Sequence, residues 1–484
     1  MGTAKGRWVI AAAVLGSGVS FLDGTVVNAA LPAISSDLHA NLGDLQWVLT
    51  GYLLTLGSLL VLGGSLGDRY GRRRIFMIGL VAFALTSMVC AIAPDTGSLI
   101  AARCVQGMAA ALVVPNSLAI VSASFHPDDR GRAIGAWSGL GGVATAVGPF
   151  LGGWLIDSVS WRLVFLINLP IAATALWIAA RHVPESRDEH APAHIDVLGT
   201  LALTFGLAGL VYALIEGPGH GWPGLAVALG VLGAVALISF VLIEEHVPNP
   251  IVPMHLFRSE QFSGANAVTF AVYAALGTVT FLLVVHLQTD LGYSALEAGA
   301  SLLPITVLML AFSARAGALA QRIGPRLPMT LGPLIVAVGM VLLGRVEPGT
   351  TYWTTVFPAL LVLGSGLALT VAPLTATVLA AVEDSHAGIA SAINNSVARI
   401  AGLLAVAVLP AAAGLTSTQG LDLVDGFSRA MYIAAVLAAV GGVLAFFTIR
   451  RVAPVQDIPR GNPAIPCYDS GVLIVDSPQI RKAG

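Results

Sequence analysis

The sequence predicts an all-α polytopic membrane protein of fourteen transmembrane helices, built as two six-helix pseudo-repeats with two inserted helices between them. Three observations lead there. The 484 residues are 56% apolar and 10% charged, with a mean hydropathy of +0.85, far from the roughly 25% charge of a soluble globular domain. Apolar runs of about 20 residues, the length that crosses a bilayer as a helix, follow one another along the whole chain. The connections between them alternate between basic-rich and basic-poor, as Lys and Arg are retained on the cytoplasmic side of a membrane. The 24 basic and 26 acidic residues leave a formal charge of -2, so the balance points to neither nucleic acid nor any bulk electrostatic partner.

The first apolar run starts at Trp8, behind Lys5 and Arg7. It is too long for a signal peptide, continues through Asp23 and Asn28 without a cleavage-like site, and is read as a retained helix. With the bilayer length as ruler, the first six segments fall at roughly 8–33, 46–66, 75–93, 98–122, 132–156 and 162–181. Two more fall at roughly 197–216 and 222–243, and six more at roughly 262–288, 296–320, 328–345, 354–381, 387–414 and 426–449. An even number puts both termini on one side, expected to be cytoplasmic. Loops assigned inside hold fifteen basic residues (Lys5, Arg7, Arg69, Arg72, Arg73, Arg74, Arg130, Arg132, Arg181, Arg187, Arg258, Arg322, Arg326, Arg450 and Arg451), against Arg162, Arg345 and Arg429 outside. One missed helix would invert every later loop. The expected organisation is therefore an N-terminal bundle over 1–181, a cytoplasmic linker over 182–196, two inserted helices over 197–243, a connector over 244–261, a C-terminal bundle over 262–450 and a disordered cytoplasmic tail over 451–484. Cys90 and Cys104 lie in apolar runs and Cys467 in the tail, a spacing that suits neither a metal site nor a disulfide.

The densest charge lies at Gly64-Ser65-Leu66-Gly67-Asp68-Arg69-Tyr70-Gly71-Arg72-Arg73-Arg74, between the second and third segments. Its glycines let two helix ends approach, while Asp68 and the arginines can pair with a neighbouring helix end and hold one conformation shut. Gly64 and Gly71 are expected to tolerate bulk poorly. Gly317-Ala318-Leu319-Ala320-Gln321-Arg322-Ile323-Gly324-Pro325-Arg326 copies this pattern at an offset of 253, with Gln321 in place of the acid. The same offset lays the first segment on the ninth and the fifth on the thirteenth, which implies duplicated halves facing a midplane cavity and rocking-type alternating access.

The pattern Gly-x-Leu-Gly-Asp-Arg-x-Gly-Arg-Arg, matched here at Gly64, Leu66, Gly67, Asp68, Arg69, Gly71, Arg72 and Arg73, resembles the loop between helices 2 and 3 of major facilitator superfamily transporters. Phe21-Leu22-Asp23-Gly24-Thr25-Val26-Val27-Asn28-Ala29-Ala30-Leu31-Pro32 is similar to the helix 1 signature of the fourteen-helix drug:proton antiporter family within it. Arg103-Cys104-Val105-Gln106-Gly107 resembles that family's helix 4 motif, and Gly148-Pro149-Phe150-Leu151-Gly152-Gly153 its helix 5 antiporter motif, with Ala144 where a glycine is usual. Ser160-Trp161-Arg162 and Asn168-Leu169-Pro170 follow the same pattern. The resemblance covers about residues 8–450. It implies a hinge at Gly148, Pro149, Gly152 and Gly153, for which close helix packing is the simpler explanation, and a conformational latch at Gly64, Asp68, Arg69, Gly71, Arg72 and Arg73.

Asp23 stands apart, because a carboxylate inside a spanning segment is costly and marks a functional site by default. Counting from Trp8 at about 1.5 Å per residue sets it about 22 Å into the membrane, at a depth similar to Arg103. The two are expected to pair, Asp23 as the proton-coupling site and Arg103 as the cation that stabilises its charged form. Asn394, Asn395 and Arg399 form a second polar stripe, with Asn395 and Arg399 four apart on one face. That face either lines the cavity, with Asn28 and Gln106, or clamps two helices. Arg315 is expected to snorkel, Glu216 and His220 to be solvated loop chemistry, and His286 to be a lesser protonation candidate.

A Gly-x-x-x-x-Gly-Lys-Ser/Thr motif is absent, so an ATP-driven pump would need another subunit. The leading expectation is proton-coupled export of hydrophobic or amphiphilic small molecules such as drugs or antibiotics across the cytoplasmic membrane. It needs no cofactor beyond the proton gradient, no metal and no nucleic acid, with a monomer working in the lipid bilayer. Export or flipping of a native lipid is the alternative. An embedded sensor or enzyme is disfavoured, since no nucleophile–base cluster sits at a membrane face. With Asp23 alone among acids deep in the duplicated core, substrates are expected to be apolar and neutral or singly charged rather than dicationic.

Overall fold

The computed structural model describes residues 4–188, 196–248, 250–383, 387–416 and 423–450. The middle of the expected linker, 189–195, and the expected disordered tail, 451–484 with Cys467, lie outside the described residues. Among the described residues fourteen helices are long and apolar enough to cross a membrane. They are α1 (Ala4–Leu38), α2 (Leu42–Tyr70), α3 (Arg72–Ala91), α4 (Thr96–Ser124), α5 (Arg132–Ser158), α6 (Leu163–His182), α7 (Val197–Gly219), α8 (Gly224–His246), α9 (Glu260–Thr289), α10 (Ala295–Ile323), α11 (Arg326–Leu343), α12 (Tyr352–Ala380), α13 (Gly388–Ala412) and α14 (Gly426–Thr448). Each sits on one of the apolar segments, and the ends of α1 and α2 run past the apolar stretch into polar sequence. Polar caps start several of them: Asn41 and Asp44 form a capping box on α2, Asp95 accepts from Ser98 N at 2.8 Å on α4, and Ser294 with Glu297 boxes α10. Such caps satisfy amide groups that a helix start leaves open.

Helices α1–α6 pack on one another, as do α9–α14. The inserted α7 lies against α2 and α13 and so touches both halves, whereas α8 packs chiefly on α7 and is the least buried span. The two halves meet chiefly along two seams, α2 on α13 and α5 on α10, with α1 also touching α9. Under the 253-residue offset α2 corresponds to α10 and α5 to α13, so the repeat exchanges one seam with the other. The repeat also reaches the loops: Gly71 (φ +109°) and Gly324 (φ +87°) are equivalent and both take the left-handed conformation that glycine adopts without penalty.

Among the described residues, the halves are sealed toward the face opposite the arginine loop. There Gln46 Nε2 donates to the Val406 carbonyl at 2.6 Å, and Gln288 Nε2 to the Ala29 carbonyl at 3.1 Å. Asp157, near the end of α5, accepts from the backbone N–H groups of Ala295 and Leu296 at 3.1 and 2.9 Å, capping α10 across the seam. One apolar core runs through both halves at this end, including Val26, Ala30 and Ile34 of α1 and Val279, Leu282 and Val285 of α9. Near the arginine loop, by contrast, a separate core of Val9, Phe76, Val121 and Val183 belongs to the N-terminal half alone.

The α5–α10 seam has no room for side chains at its closest points. A Cβ on Gly153 would stand 2.5 Å from Leu296 Cα, and one on Gly299 would stand 2.6 Å from the Pro149 carbonyl carbon. Gly153→Val or Gly299→Val should therefore open this end, at a cost of about 1–3 kcal/mol for overpacking. A cysteine placed at buried Ala30 reports it: labelling by a membrane-impermeant maleimide should speed up in either variant, and unchanged labelling would show that the seam does not seal the protein.

Candidate functional site

Five helices of the N-terminal half converge on Asp23. Its Oδ2 accepts from Arg103 Nη1 at 2.5 Å, and its Oδ1 accepts from Gln106 Nε2 at 3.1 Å and Asn168 Nδ2 at 2.8 Å. Arg103 Nη1 also donates to Gln106 Oε1 at 2.7 Å, and its Nε to the Val48 carbonyl at 3.1 Å. Ser87 Oγ takes hydrogens from Gln106 at 2.8 Å and Asn168 at 3.3 Å. The guanidinium lies over the Tyr52 ring at 4.3 Å, and the Tyr52 hydroxyl donates to the Ser20 carbonyl at 3.0 Å. Asp23 is 0% and Arg103 1% exposed, so this pair is held in protein rather than in water, where its Coulomb attraction is strong.

The expected pairing of Asp23 with Arg103 is thus present in the geometry. Gln106, expected in the cavity wall, is instead fully buried in this network, because it lies three residues along α4 from Arg103 and shares the face aimed at α1. Ser87, Tyr52 and Asn168 join the site only in the folded chain. An amide in the apolar run of α6 was a legible signal for Asn168, whereas nothing in the sequence distinguishes Ser87 from other helix serines.

Beside this network, between the halves, lies a cavity of about 530 Å³, within the usual range for small-molecule sites. Phe21, Asn28, Tyr52, Arg103 and Trp137 line it from the N-terminal half, and Tyr273, Asn394, Asn395 and Arg399 from the other. Asn28 faces it while donating weakly to its own helix at Gly24, 3.4 Å away. The α13 stripe combines both expected roles. Asn394 Nδ2 clamps α13 to α9 through Asn266 at 3.1 Å and Thr269 at 2.7 Å, while Asn395 and Arg399 face the cavity. The cavity lies on the arginine-loop side of the seal, and among the described residues it is open toward that face.

The arginine loop docks within its own half. Arg72 Nε donates to Asp68 Oδ1 at 2.7 Å, while the backbone N–H groups of Arg73 and Arg74 donate to the Glu185 carboxylate at 3.0 and 3.2 Å. Arg73 Nη1 reaches the Val183 carbonyl at 3.0 Å, and Arg72 N the Ser186 carbonyl at 2.9 Å. Arg69 lies over the Tyr70 ring at 5.2 Å. These contacts go to the segment that follows α6. The antiporter-motif glycines are packing positions: Gly148 and Gly152 abut Thr25 and Val26 of α1, and Gly153 abuts α10 with Pro149 beside Gly299. The unusual Ala144 fits because it faces Gly18, 3.6 Å from where a Cβ there would stand.

Three lesser expectations resolve as follows. Glu216 is not simply solvated: Trp47 Nε1 donates to it at 3.0 Å and ties α7 to α2. His286 is 1% exposed, 2.5 Å from Asp290 through Nδ1, and stacked on Phe427 at 4.0 Å. Arg315 bonds its own helix at the Ala311 carbonyl, 2.6 Å away.

Two six-helix halves around a central cavity, sealed at one end and flanked by a buried acid–guanidinium pair, define a membrane transporter. The chain belongs to the Major Facilitator Superfamily, whose family model matches residues 13–406. It is 36% identical over 435 residues to a puromycin resistance protein of Streptomyces alboniger, covering 87% of this chain and 86% of that one. It is 35% identical over 391 residues to the tetracenomycin C resistance and export protein of Streptomyces glaucescens, covering 80% and 72%. With the methylenomycin A resistance protein of Bacillus subtilis it shares 34% over 421 residues, covering 86% and 89%. The solved structure of the nucleoside transporter NupG superposes with a TM-score of 0.65 at 11% identity, over 92% of this chain and all of that one, a likeness of fold alone.

The glycines of the arginine loop can be ranked by space. The position a Gly67 Cβ would take is filled by the Asn116 side chain, whose amide bonds the Gly63 carbonyl at 2.8 Å. Gly71 combines positive φ with Glu185 at 2.9 Å from its missing Cβ. Gly64, expected to be equally intolerant, meets only Pro115 Cβ at 3.5 Å, an ordinary contact, because its missing side chain points beside α4 rather than into it. In thermal unfolding of the purified protein, Gly67→Ala and Gly71→Ala should each lose about 1–3 kcal/mol, while Gly64→Ala stays near wild type; equal losses at all three would refute this ranking.

Proposed function

We propose that the protein is a proton-coupled exporter of hydrophobic or amphiphilic small molecules, such as antibiotics, working by alternating access of the bundles 1–181 and 262–450 around the central cavity. Export of such compounds is in keeping with the names of its relatives, which are resistance and export proteins. The orientation we adopt puts both termini and the arginine loop in the cytoplasm, on the excess of basic residues there, and the protein in the cytoplasmic membrane. The cavity then receives substrate from the cytoplasm. In this reading the chain is a transporter and not an enzyme, draws on the proton gradient without a cofactor or an ATP-binding partner, and acts as a monomer.

The observation that carries the coupling is the buried Asp23–Arg103 pair. Protonating Asp23 would leave a guanidinium without its counter-ion in a site that is 1% exposed, a situation that costs several kcal/mol. The pair must then separate, and the helices it joins must shift. In the outward-facing state substrate leaves and Asp23 takes a proton; facing the cytoplasm, Asp23 releases it and the pair closes again. The loop at Asp68, Arg69, Arg72 and Arg73 acts as the latch that stabilises one of the two states, with Gly64 and Gly71 at its ends. The Gly148, Pro149, Gly152 and Gly153 turn of α5 lies where the rocking halves touch and serves as the hinge.

Asp23→Asn removes the titration and puts an amide donor where Oδ2 accepts from Arg103, so it imitates the protonated carboxyl while Oδ1 can still accept from Gln106 and Asn168. It should abolish efflux driven by a pH gradient in everted vesicles and leave the protein folded; continued accumulation against a gradient would mean that Asp23 is not the coupling group. Reporter fusions at Arg187 and Gly219 should report the cytoplasm and the outside, respectively. The same side for both would remove the proposed topology.

A further inference from the structure

The charge of the cavity wall is unbalanced. Among the residues that line it, those charged at neutral pH are Arg103 and Arg399, with no aspartate, glutamate, lysine or histidine. Arg103 is neutralised by Asp23 behind the wall. Arg399 is not: among the described residues it forms no ion pair or hydrogen bond, and its guanidinium rests over the Phe21 ring across the cavity, 5.8 Å away. It cannot simply reach the headgroups, since it lies near the middle of α13, about 17 Å along the helix from Gly388 at 1.5 Å per residue. Its backbone is also pinned, with its Cβ 3.3 Å from where a side chain on Gly57 of α2 would begin. A cation kept in a spanning segment with no counter-ion is expensive to hold and points to a ligand that supplies the charge.

We infer that the cavity selects aromatic amphiphiles carrying one negative charge, a carboxylate or an ionised phenol, with Arg399 as the residue that binds the anion. Arg399 presents a planar fork of donors suited to two oxygens of one group. Tyr52 and Tyr273 line the same cavity, and Asn395 lies one turn away on the same face. Phe21, Trp137 and Tyr273 supply flat apolar surface for rings. A cationic ligand would meet the Arg399 charge directly, and the acid that could balance it is already held by Arg103, Gln106 and Asn168. The inference specifies the substrate of the proposed exporter and rests on that reading for the direction of movement; preference for an anion is a property of the cavity itself.

The test uses one fluorescent tricyclic ring system in three forms: the carboxylic acid, its methyl ester and a quaternary ammonium amide of the same size. Binding to purified protein is measured separately from proton-driven movement in protein-only vesicles. Wild type should bind the acid more tightly than the ester and the ammonium compound least. Arg399→Gln should weaken acid binding about tenfold more than ester binding, the loss expected for one charge-assisted hydrogen-bonding partner, and Arg399→Lys should recover part of it. Tightest binding of the ammonium compound, or equal losses for acid and ester in Arg399→Gln with no recovery in Arg399→Lys, would overturn the inference and assign Arg399 a structural role. Anion-selective binding without any vesicle transport would uphold this inference and sink the exporter reading, whereas transport with no Arg399-dependent charge preference would do the reverse.

Discussion

The N-terminal half is organised by one electrostatic constraint, a carboxylate and a guanidinium that must satisfy each other away from water. Desolvating each ion costs several kcal/mol, and only good geometry with further hydrogen bonds recovers it. Here Asp23 on α1 accepts from Arg103 and Gln106 on α4 and from Asn168 on α6, while Ser87 on α3 and the Val48 carbonyl on α2 complete the network. Five of the six helices in this half therefore contribute a polar atom to one site. The sixth, α5, contributes none of these bonds and is the helix that reaches across to α10. The half is tied into one body by its polar centre, and it meets the other half both through α5, which lies outside that centre, and through α2, which belongs to it.

Glycine determines where the halves can touch. With small residues, backbones approach to a distance at which van der Waals contact replaces side-chain interdigitation. The sealed end depends on this at Gly153 and Gly299, where the two backbones are nearly in register with each other's carbonyls. Hydrogen bonds from Gln46, Gln288 and to Asp157 join the same end. These few polar bonds lie beside the apolar core that both halves share at this end.

The inserted α7 packs along its length through Leu207, Val211 and Ile215 against Leu54 of α2 and Leu403 and Ala407 of α13, and polar bonds hold the ends of the inserted pair. At one end Trp47 of α2 donates to Glu216 of α7. At the other, Asp196 caps α7 through Gly199 N at 2.8 Å, and Glu244 of α8 accepts from Val252 N at 3.0 Å in the connector leading to α9. The remaining oxygens of Asp196 and Glu244 both point at Gly199, where a Cβ would collide with them. Since α7 also lies on α13, it spans the α2–α13 seam, while α8 mostly faces lipid.

By itself the sequence determined the fourteen spans, their duplication and the pairing of Asp23 with Arg103. Hydrophobic length, loop charge and the cost of a membrane-embedded acid are local properties that hold whatever the helices pack against. It also determined that Asn395 and Arg399 share a face, since helical spacing alone sets that. Only the tertiary structure decided that Gln106 belongs to the acid's network rather than to the cavity, that Asn394 clamps α9, and that Gly67 rather than Gly64 is the crowded glycine of the arginine loop. Those outcomes depend on which neighbour each helix face meets, and a spacing of three or four residues defines a face without naming its partner. The lone charge of Arg399 had the same origin: its place on the helix was legible, but that no acid stands opposite it is a fact about the other wall.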